Sequence, residues 1–408
     1  MNARRAHEVA EAAARHSYGR LLALLAARTG DIAAAEDALA DAFVAAVQTW
    51  PERGVPDNPD AWLLTVARNN LQNKRRSDEV RKASQVELEQ VVTSLLDQLE
   101  DTLPDRRLNL LFVCAHPAID PLIRTPLMLQ AVLGLDAVRI GAAFLVAPAT
   151  MGQRLSRAKA KIRDAKLRFE TLSSDDVTAR LSEVLNAIYI SYGAGWDHLA
   201  LDPDVSGLTG EALFLGRLLV ELLPEEPEPL GLLALMLYCE ARRDARRDTD
   251  GKLVPLNEQN ASLWSSDMIA EAEQMLIAAS RHQRFGRYQC EAAIQSVHVQ
   301  RPVTGRIDYD ALLTLYDLLV SRAPSIGAHV GRAAVLLDGR SADLALQALN
   351  ELDGQAIADY QPYWATRARV LGALHANGEA SRCLERAIAL TRDPSVRIFL
   401  ERQRQPTE

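Results

Sequence analysis

The sequence predicts an all-α protein. Alanine and leucine are abundant, aromatic residues make up only 5% of the chain, and runs of alternating valine, isoleucine and threonine are missing. Residues that favour helices therefore dominate almost everywhere. At 408 residues the chain is longer than a single compact core usually is, so we expect several helical domains.

Composition excludes several classes of protein. With 48% hydrophobic and 25% charged residues, the chain resembles an ordinary soluble protein, and no apolar stretch approaches the ~20 residues that a bilayer requires. The N-terminal residues lack a signal-peptide pattern, so we expect a cytoplasmic protein without membrane contact. The four cysteines are far apart, which favours buried small side chains over disulfides or metal ligands. Motifs for catalysis, nucleotide binding or metal binding lack usable spacing, so we expect no enzyme, cofactor or metal.

Two amphipathic helices open the chain. The first is predicted over residues 8–28, and Asp31 should cap the second. The second helix should end at Pro51, and Asn58-Pro59 should open a third after a loop. Helical spacing places one apolar face on the second helix, formed by Ile32, Leu39, Phe43, Val47 and Trp50.

The third helix has an apolar stripe, a polar face and a basic end. Leu64, Ala67 and Leu71 form the stripe. The polar face at helical spacing comprises Thr65, Arg68, Asn69, Gln72 and Arg76. The basic end, residues 73–76, either contacts phosphates or simply complements the helix dipole, and the segment alone leaves both interpretations open.

A second helical group follows a polar linker and contains a predicted helix-turn-helix. Residues 138–145 and 150–163 form its helices, and residues 146–149 form the turn. The apolar face of the second helix comprises Met151, Leu155, Ala158 and Ile162. The exposed strip comprises Thr150, Gln153, Arg154, Arg157 and Lys161. This strip suits the major groove, where a bidentate Arg or Gln contact is worth ~1–3 kcal/mol of discrimination.

Phosphate contacts are expected beside this strip, from Lys159, Arg163, Lys166 and Arg168. A generic amphipathic helix rich in Lys and Arg is the alternative interpretation. The net charge of −8 does not decide between them, because phosphate binding depends on where the cations cluster.

Three segments in order resemble the extracytoplasmic-function (ECF) sigma factors over about the first 170 residues. Residues 31–43 look like the helix of sigma domain two that docks on core RNA polymerase. Residues 58–69 are similar to the "P-x-x-W-L-x-x-x-A-R-N" segment that opens and reads the minus-ten element. Residues 148–155 resemble the "P-x-T-V-x-x-R-L" start of the helix of sigma domain four that reads the minus-thirty-five element.

The resemblance implies core RNA polymerase and promoter DNA as partners. Polymerase contacts would come from Asp37, Asp41 and Phe43. Minus-ten contacts would come from Val55, Asp57, Trp62, Arg68, Asn69, Lys74, Arg75 and Arg76, and the loop of residues 55–57 lies close to where the family captures a flipped base. Minus-thirty-five contacts would come from Thr150, Gln153, Arg154, Arg157 and Lys161. The family often has Glu in place of Asp41 and an acidic residue in place of Asn73.

Beyond Leu172 the chain resembles the extension of one ECF subgroup, a helical domain followed by tetratricopeptide-type repeats. The pattern alone predicts one helix pair of ~34 residues, with Asn377-Gly378 as its turn, and a weaker copy before it. The pair with the Asn377-Gly378 turn comprises Trp364, Ala368, Leu371, Ala380, Leu384 and Ala387. Stacked pairs leave a concave surface, which either binds a protein or peptide or is purely architectural.

The resemblance predicts five segments. They are sigma domain two at 1–80, a linker at 81–100, sigma domain four at 101–170, a helical extension at 171–310 and repeats at 311–408. The alternative is a helix-turn-helix regulator with a repeat sensor domain, which would act without core polymerase. The helix around Trp62 favours the sigma factor, because a simple repressor has no use for a strand-opening segment. An enzyme within residues 173–300 is a further rival that no residue pattern there supports.

Overall fold

A computed structural model of the chain describes residues 2–77, 106–144, 146–167, 169, 174–197, 203–391 and 393–404. Within these ranges the regular elements are helices, which confirms the all-α prediction, and one isolated bridge pairs Arg247 with Leu253. The chain divides into two compact units, Met1–Ala212 and Leu213–Glu408. Among the described residues, no helix is long and apolar enough to cross a membrane.

The first unit contains nine helices among its described residues and the start of a tenth. They are α1 (Asn2–His16), α2 (Tyr18–Thr29), α3 (Ile32–Arg53), α4 (Pro59–Ser77), α5 (Arg107–Cys114), α6 (Pro121–Leu133), α7 (Ala137–Ala143), α8 (Pro148–Asp164), α9 (Ser174–Asp197) and α10 (Pro203–Leu222). Helix α3 is the centre of the N-terminal half, because α1, α2 and α4 all pack against it.

The first two predicted helices have different boundaries in the structure, and the first begins at Asn2. The first helix is divided into α1 and α2 at Ser17, whose hydroxyl donates to Asp60 Oδ2 at 2.8 Å. Arg20 pairs with the same carboxylate, so a contact with the first turn of α4 fixes the division. Helix α3 continues past Pro51, and its last turn is kept by the Gly54 N–H, which donates to the Trp50 carbonyl at 3.0 Å.

The buried face of α3 is built mainly from alanine. Ile32, Leu39 and Trp50 are buried as predicted, but Phe43 is only half-buried and Val47 is 40% exposed. Four small residues take their place in the core: Ala35, Ala38, Ala42 and Ala46. Small side chains suit a helix that packs against three others, because they let helix axes approach closely.

Thr65 of α4 is buried, although the sequence predicts it on the polar face of this helix. Its side chain is 3% exposed, and its hydroxyl donates to the Ala61 carbonyl at 2.8 Å. A hydroxyl satisfied by its own helix can be buried without the cost of an unpaired polar group. The predicted stripe of Leu64, Ala67 and Leu71 is buried.

The later helices of the first unit share a core with the N-terminal ones. Helix α2 packs against α5 and α6, and a side chain at Gly19 would place its Cβ 2.1 Å from the Val132 carbonyl oxygen. Glycine is therefore required at this crossing. Helix α9 packs on α5 and α6, where Arg124, 9% exposed, forms an ion pair with Glu183.

The second unit is a succession of packed helices. After α10 come α11 (Pro227–Glu240), α12 (Ser266–Ser280), α13 (Arg287–Val299), α14 (Arg301–Thr304), α15 (Tyr309–Arg322), α16 (Ile326–Gly339), α17 (Ala342–Asn350), α18 (Gly354–Ile357), α19 (Gln361–Ala373), α20 (Asn377–Leu390) and α21 (Pro394–Gln403). Short 3-10 helices lie at Arg243–Arg246 and Ala261–Leu263. Helix α11 is buried along almost its whole length between α12 and α13.

The predicted helix pair near the C-terminus corresponds to α19 and α20, which pack together extensively. Ala368, Leu371, Leu384 and Ala387 are buried in a shared core. The connection lies slightly earlier than predicted, because Asn377-Gly378 begin α20 and the turn has His375 at a φ of 58°. The preceding pair, α16 and α17, has its own core around Ala333.

Candidate nucleic-acid interface

Helix α3 presents acidic and apolar side chains to solvent on its outer surface. Asp37 and Asp41 lie one turn apart and are both exposed, whereas Phe43 is half-buried. Val44 is 57% exposed beside them. The surface therefore combines negative charge with uncovered apolar area, a combination suited to a protein partner with a cationic and apolar contact face.

The loop between α3 and α4 leads directly into the candidate strand-opening helix. The Asn58 side chain caps α4 by accepting from the Ala61 N–H at 3.0 Å. Val55 is half-buried and Asp57 is exposed in this loop. The Trp62 ring is half-buried and packs edge-on against Trp50, with ring centroids 5.5 Å apart. Trp62 therefore anchors α4 to α3 and presents part of its surface to solvent.

The polar face of α4 is only partly exposed. Arg68 and Asn69 are half-buried, and burial lowers the pKa of the Arg68 guanidinium, with Arg28 as a second, smaller cause. The helix extends through Lys74, Arg75 and Arg76, whose side chains lie outside the described residues.

Helices α7 and α8 follow closely on one another. Asp136 caps α7 by accepting from the N–H groups of Val138 and Arg139 at 3.0 and 2.8 Å. A Cβ at Gly141 would lie 2.6 Å from the Val146 carbonyl oxygen, so glycine lets the connection pass close to α7. Leu145, within this connection, lies outside the described residues.

Helix α8 separates its apolar and cationic faces as the sequence predicts. The residues predicted to face inward are buried: Met151, Leu155, Ala158 and Ile162. The residues predicted to read DNA are all exposed: Thr150, Gln153, Arg154, Arg157 and Lys161. Three of them, Arg154, Arg157 and Lys161, border a cavity of about 340 Å³ beside the start of α6.

Lys159 does not join the other cations of α8. It is 8% exposed, and its ammonium lies 2.5 Å from Glu36 Oε2 on α3. Burial raises the pKa of the Glu36 carboxyl, and Lys159 opposes that rise. A signal for this was present in the sequence: at 100° per residue, Lys159 lies on the side of α8 opposite the exposed strip. Arg163 and Lys166 are exposed, and Arg168 lies outside the described residues.

Comparisons with known proteins identify the N-terminal region. Residues 14–81, which include α3 and α4, match sigma-70 region 2. This match supports a sigma-70 family factor. Residues 180–280 match a family of unknown function, DUF6596.

One relative shares almost the whole chain. An uncharacterized protein of Rhizobium meliloti (strain 1021) is 36% identical over 379 residues, which cover 90% of this chain and 89% of the relative. The chain belongs to the same family as this rhizobial protein. No solved structure matches the chain.

Proposed function

We propose that this chain is an ECF-type sigma factor that binds core RNA polymerase and directs it to specific promoters. The observation that carries the proposal is the match to sigma-70 region 2, which falls on a helix with an exposed acidic and apolar surface. Asp37, Asp41 and Phe43 are the proposed polymerase contacts.

The two DNA elements would be read by different helices. The loop with Val55 and Asp57, together with Trp62 and the polar face of α4, would bind the minus-ten element as a single strand, where bases stack on aromatic rings. Helices α7 and α8 would act as a helix-turn-helix, and Arg157 and its exposed neighbours would enter the major groove at the minus-thirty-five element. The exposure of the whole strip on α8 supports this assignment.

The C-terminal unit would modulate transcription as a repeat domain that binds a protein or peptide. A cavity of about 580 Å³ lies among α13, α15, α16, α19 and α21, and His298, Tyr316 and Phe399 are part of its lining. The His298 Nδ1 is buried and has no hydrogen-bond partner among the described residues. Burial, then Arg242 and Arg301, lower the His298 pKa to about 4, so at neutral pH the imidazole is uncharged.

The start of the last helix is also tied to a distant segment of the second unit. Arg247 donates to Ser395 Oγ at 2.6 Å and pairs with Asp393 at 3.2 Å, which ties the start of α21 to a segment almost 150 residues earlier.

In vitro transcription with purified core polymerase on a library of promoter sequences tests the proposed function. We expect transcripts that depend on this chain and start downstream of one shared pair of sequence elements. Sequence-specific binding to duplex DNA without any core-dependent transcript would contradict the proposal and favour the regulator that acts without polymerase.

A further inference from the structure

The cavity beside the exposed strip of α8 combines an apolar floor with an excess of positive charge. It has a volume of about 340 Å³ and lies between the start of α6 and α8. Its apolar lining is formed by Ile119, Leu122, Ile123 and Ala158. Its charged lining is formed by Arg154, Arg157, Lys161 and Asp120. Three cations therefore face a single carboxylate around this cavity.

The three lining cations are not used to hold the fold together. All are exposed, and in the part of the chain that the structure describes none of them forms an ion pair or a hydrogen bond. Other cations of α8 do have acidic partners, since Lys159 pairs with Glu36 and Arg163 with Asp164. Like charges around one cavity repel each other, and an anion bound between them relieves that repulsion. The charge therefore favours an anionic ligand.

The floor of the cavity favours a ligand that also has an apolar part. Ile119 and Ile123 are 1% and 6% exposed, whereas Leu122, at the rim, is 78% exposed. An exposed leucine beside an apolar floor leaves surface that a ligand can remove from water. A phosphate group alone has no apolar area with which to cover it. The volume lies within the range of about 300–1,000 Å³ that is usual for small-molecule sites.

The floor is fixed by contacts outside the cavity. Arg124 donates to the Ile119 carbonyl at 3.1 Å, and its guanidinium is held in turn by Glu183 of α9. The Asp120 side chain accepts from the Leu122 N–H at 3.0 Å, which fixes the start of α6. A site that is already formed loses less free energy to ordering when a ligand binds. The cavity is therefore a formed site and not only a gap between two helices.

We propose that this cavity binds a small oxyanion with an apolar body, such as an aryl-alkyl carboxylate. Arg154 and Arg157 lie three residues apart on one side of α8, so both guanidinium groups can reach one oxyanion. Leu122 covers the apolar body. Because the same cations belong to the proposed DNA-reading strip, the ligand competes with promoter DNA. This competition rests on the proposed sigma function, whereas binding of the ligand does not.

Nuclear magnetic resonance of the full-length protein with isotope-labelled isoleucine methyl groups tests the site directly. Ile119→Val and Ile123→Val identify the two signals from the floor. Phenylbutyrate, with about twelve non-hydrogen atoms, should shift both signals and saturate in the millimolar range or below. Phenylbutylamine, phenylbutanol and inorganic phosphate should each bind at least about tenfold more weakly, because each lacks the negative charge or the apolar body. Unshifted floor signals, or an amine that binds as tightly as the carboxylate, would overturn the proposal.

Two variants separate the contributions of the apolar body and of the charge. Leu122→Ala should weaken phenylbutyrate binding about threefold or more, because less apolar surface is buried. Val138→Ala is the control, since it removes an apolar side chain that is 60% exposed on α7 and lies outside the cavity lining. Equal binding by Leu122→Ala and the wild type would contradict the apolar contact.

Charge reversal at Arg157→Glu/Lys161→Glu should invert the preference, so that phenylbutylamine binds more tightly than phenylbutyrate. A general loss of folding would weaken both probes and cannot produce an inversion. A folded double variant that still preferred the carboxylate would show that these cations do not select the ligand, and the proposal would fail.

Competition is measured as promoter binding by the complex with core polymerase, at constant ionic strength. Saturating phenylbutyrate should weaken promoter binding severalfold, whereas phenylbutanol at the same concentration should not. Promoter binding that saturating phenylbutyrate leaves unchanged would overturn the competition. If the isoleucine signals respond as expected but the complex binds no promoter, the proposed function fails and the ligand site stands.

Discussion

Arg157 and Lys161 lie one turn apart on the exposed strip of α8, but their side chains have different capacities. The planar guanidinium of Arg157 can donate two parallel hydrogen bonds to a guanine edge, whereas the Lys161 ammonium acts as a point charge. If α8 enters the major groove, the first residue selects sequence and the second mainly attracts phosphate.

Arg157→Ala should cost ~1–3 kcal/mol of binding on the preferred promoter and relax selectivity at one or two base pairs. Lys161→Ala should weaken binding about equally on every sequence and reduce its salt dependence. Binding of both variants to a set of single-base promoter variants at several salt concentrations measures the two effects. Equal scaling of all promoters by both substitutions would show that Arg157 does not read bases.

His298 gives the second unit a pH dependence of predictable sign. Its pKa is lowered to about 4 in the folded protein by burial and by Arg242 and Arg301, against an ordinary value of about 6.5. At a pH between these two pKa values, His298 is protonated in the unfolded chain but neutral in the folded chain. The free energy of unfolding therefore falls as the pH drops through this range. Above about pH 6.5 the His298 side chain is neutral in both the folded and the unfolded chain, so it no longer makes the free energy of unfolding depend on pH.

His298→Gln should therefore reduce the loss of stability between pH 7.5 and pH 5.0. The measurement is the urea midpoint of the full-length protein, followed by circular dichroism at both pH values. His375→Asn, at an exposed turn with a φ of 58°, serves as a control, because asparagine tolerates that conformation. If the urea midpoint changed equally with pH in the wild type and in His298→Gln, His298 would not be the source of the pH dependence.

Helix α3 carries the two main interactions of the first unit on different sides. Its alanine-rich side packs against α1, α2 and α4, while Asp37 and Asp41 lie exposed outside that core. Glu36 lies between these regions and accepts Lys159. One helix therefore supports the fold, the contact with α8 and the proposed polymerase contact, and each can be altered by a different residue.

Charge reversal of the acidic surface, Asp37→Lys/Asp41→Lys, should weaken co-purification with core polymerase by about tenfold or more, because like charges facing across an interface cost several kcal/mol. Both side chains are exposed, so the fold should survive, and circular dichroism checks that. Glu351→Lys/Glu401→Lys changes the same net charge at exposed positions of the second unit. Undiminished recovery of core with the folded α3 variant would contradict this docking surface.

Local signals in the sequence were reliable where a short segment determines the structure. The caps at Asp31 and Asn58 follow from side chains that accept backbone N–H groups within three residues, and both are present. The division at Ser17 could not be predicted in the same way, because it depends on Asp60, 43 residues away. Periodicity likewise placed large residues such as Val47 in the core, where the close packing of four helices selects alanine instead.

In the candidate site, too, local features were predictable from the sequence and contacts between distant residues were not. The exposed strip of α8 was predictable because its inward face has a strong apolar period, and the side chains on it are exposed. The partner of Lys159 was not predictable, since nothing in the spacing relates it to Glu36 across 123 residues. Spacing could show that Lys159 lies off the strip, but only the tertiary contact shows what it binds.

In the whole molecule, the boundary between the two units determines where the chain can be truncated to test the role of the second unit. The five predicted segments remain a prediction, but the structure divides the chain at Ala212 and packs α9 on α5 and α6. A cut after Leu172 would remove α9 and leave the buried Arg124 without Glu183. An unpaired buried charge is strongly destabilising, so that truncation would confuse unfolding with loss of function.

A cut after Asp197 keeps α9 and removes the second unit together with the start of α10. We expect this fragment to remain folded but to lose promoter-dependent transcription, because we propose that the second unit helps to hold the open complex. The fragment cut after Leu172 serves as the comparison and should be less helical per residue and less stable to urea. Transcription by full-length protein and the longer fragment, at equal folded concentration over a range of salt, is the measurement. Higher activity of the longer fragment would mean that the second unit inhibits, and indistinguishable activity would mean that it does not act on initiation.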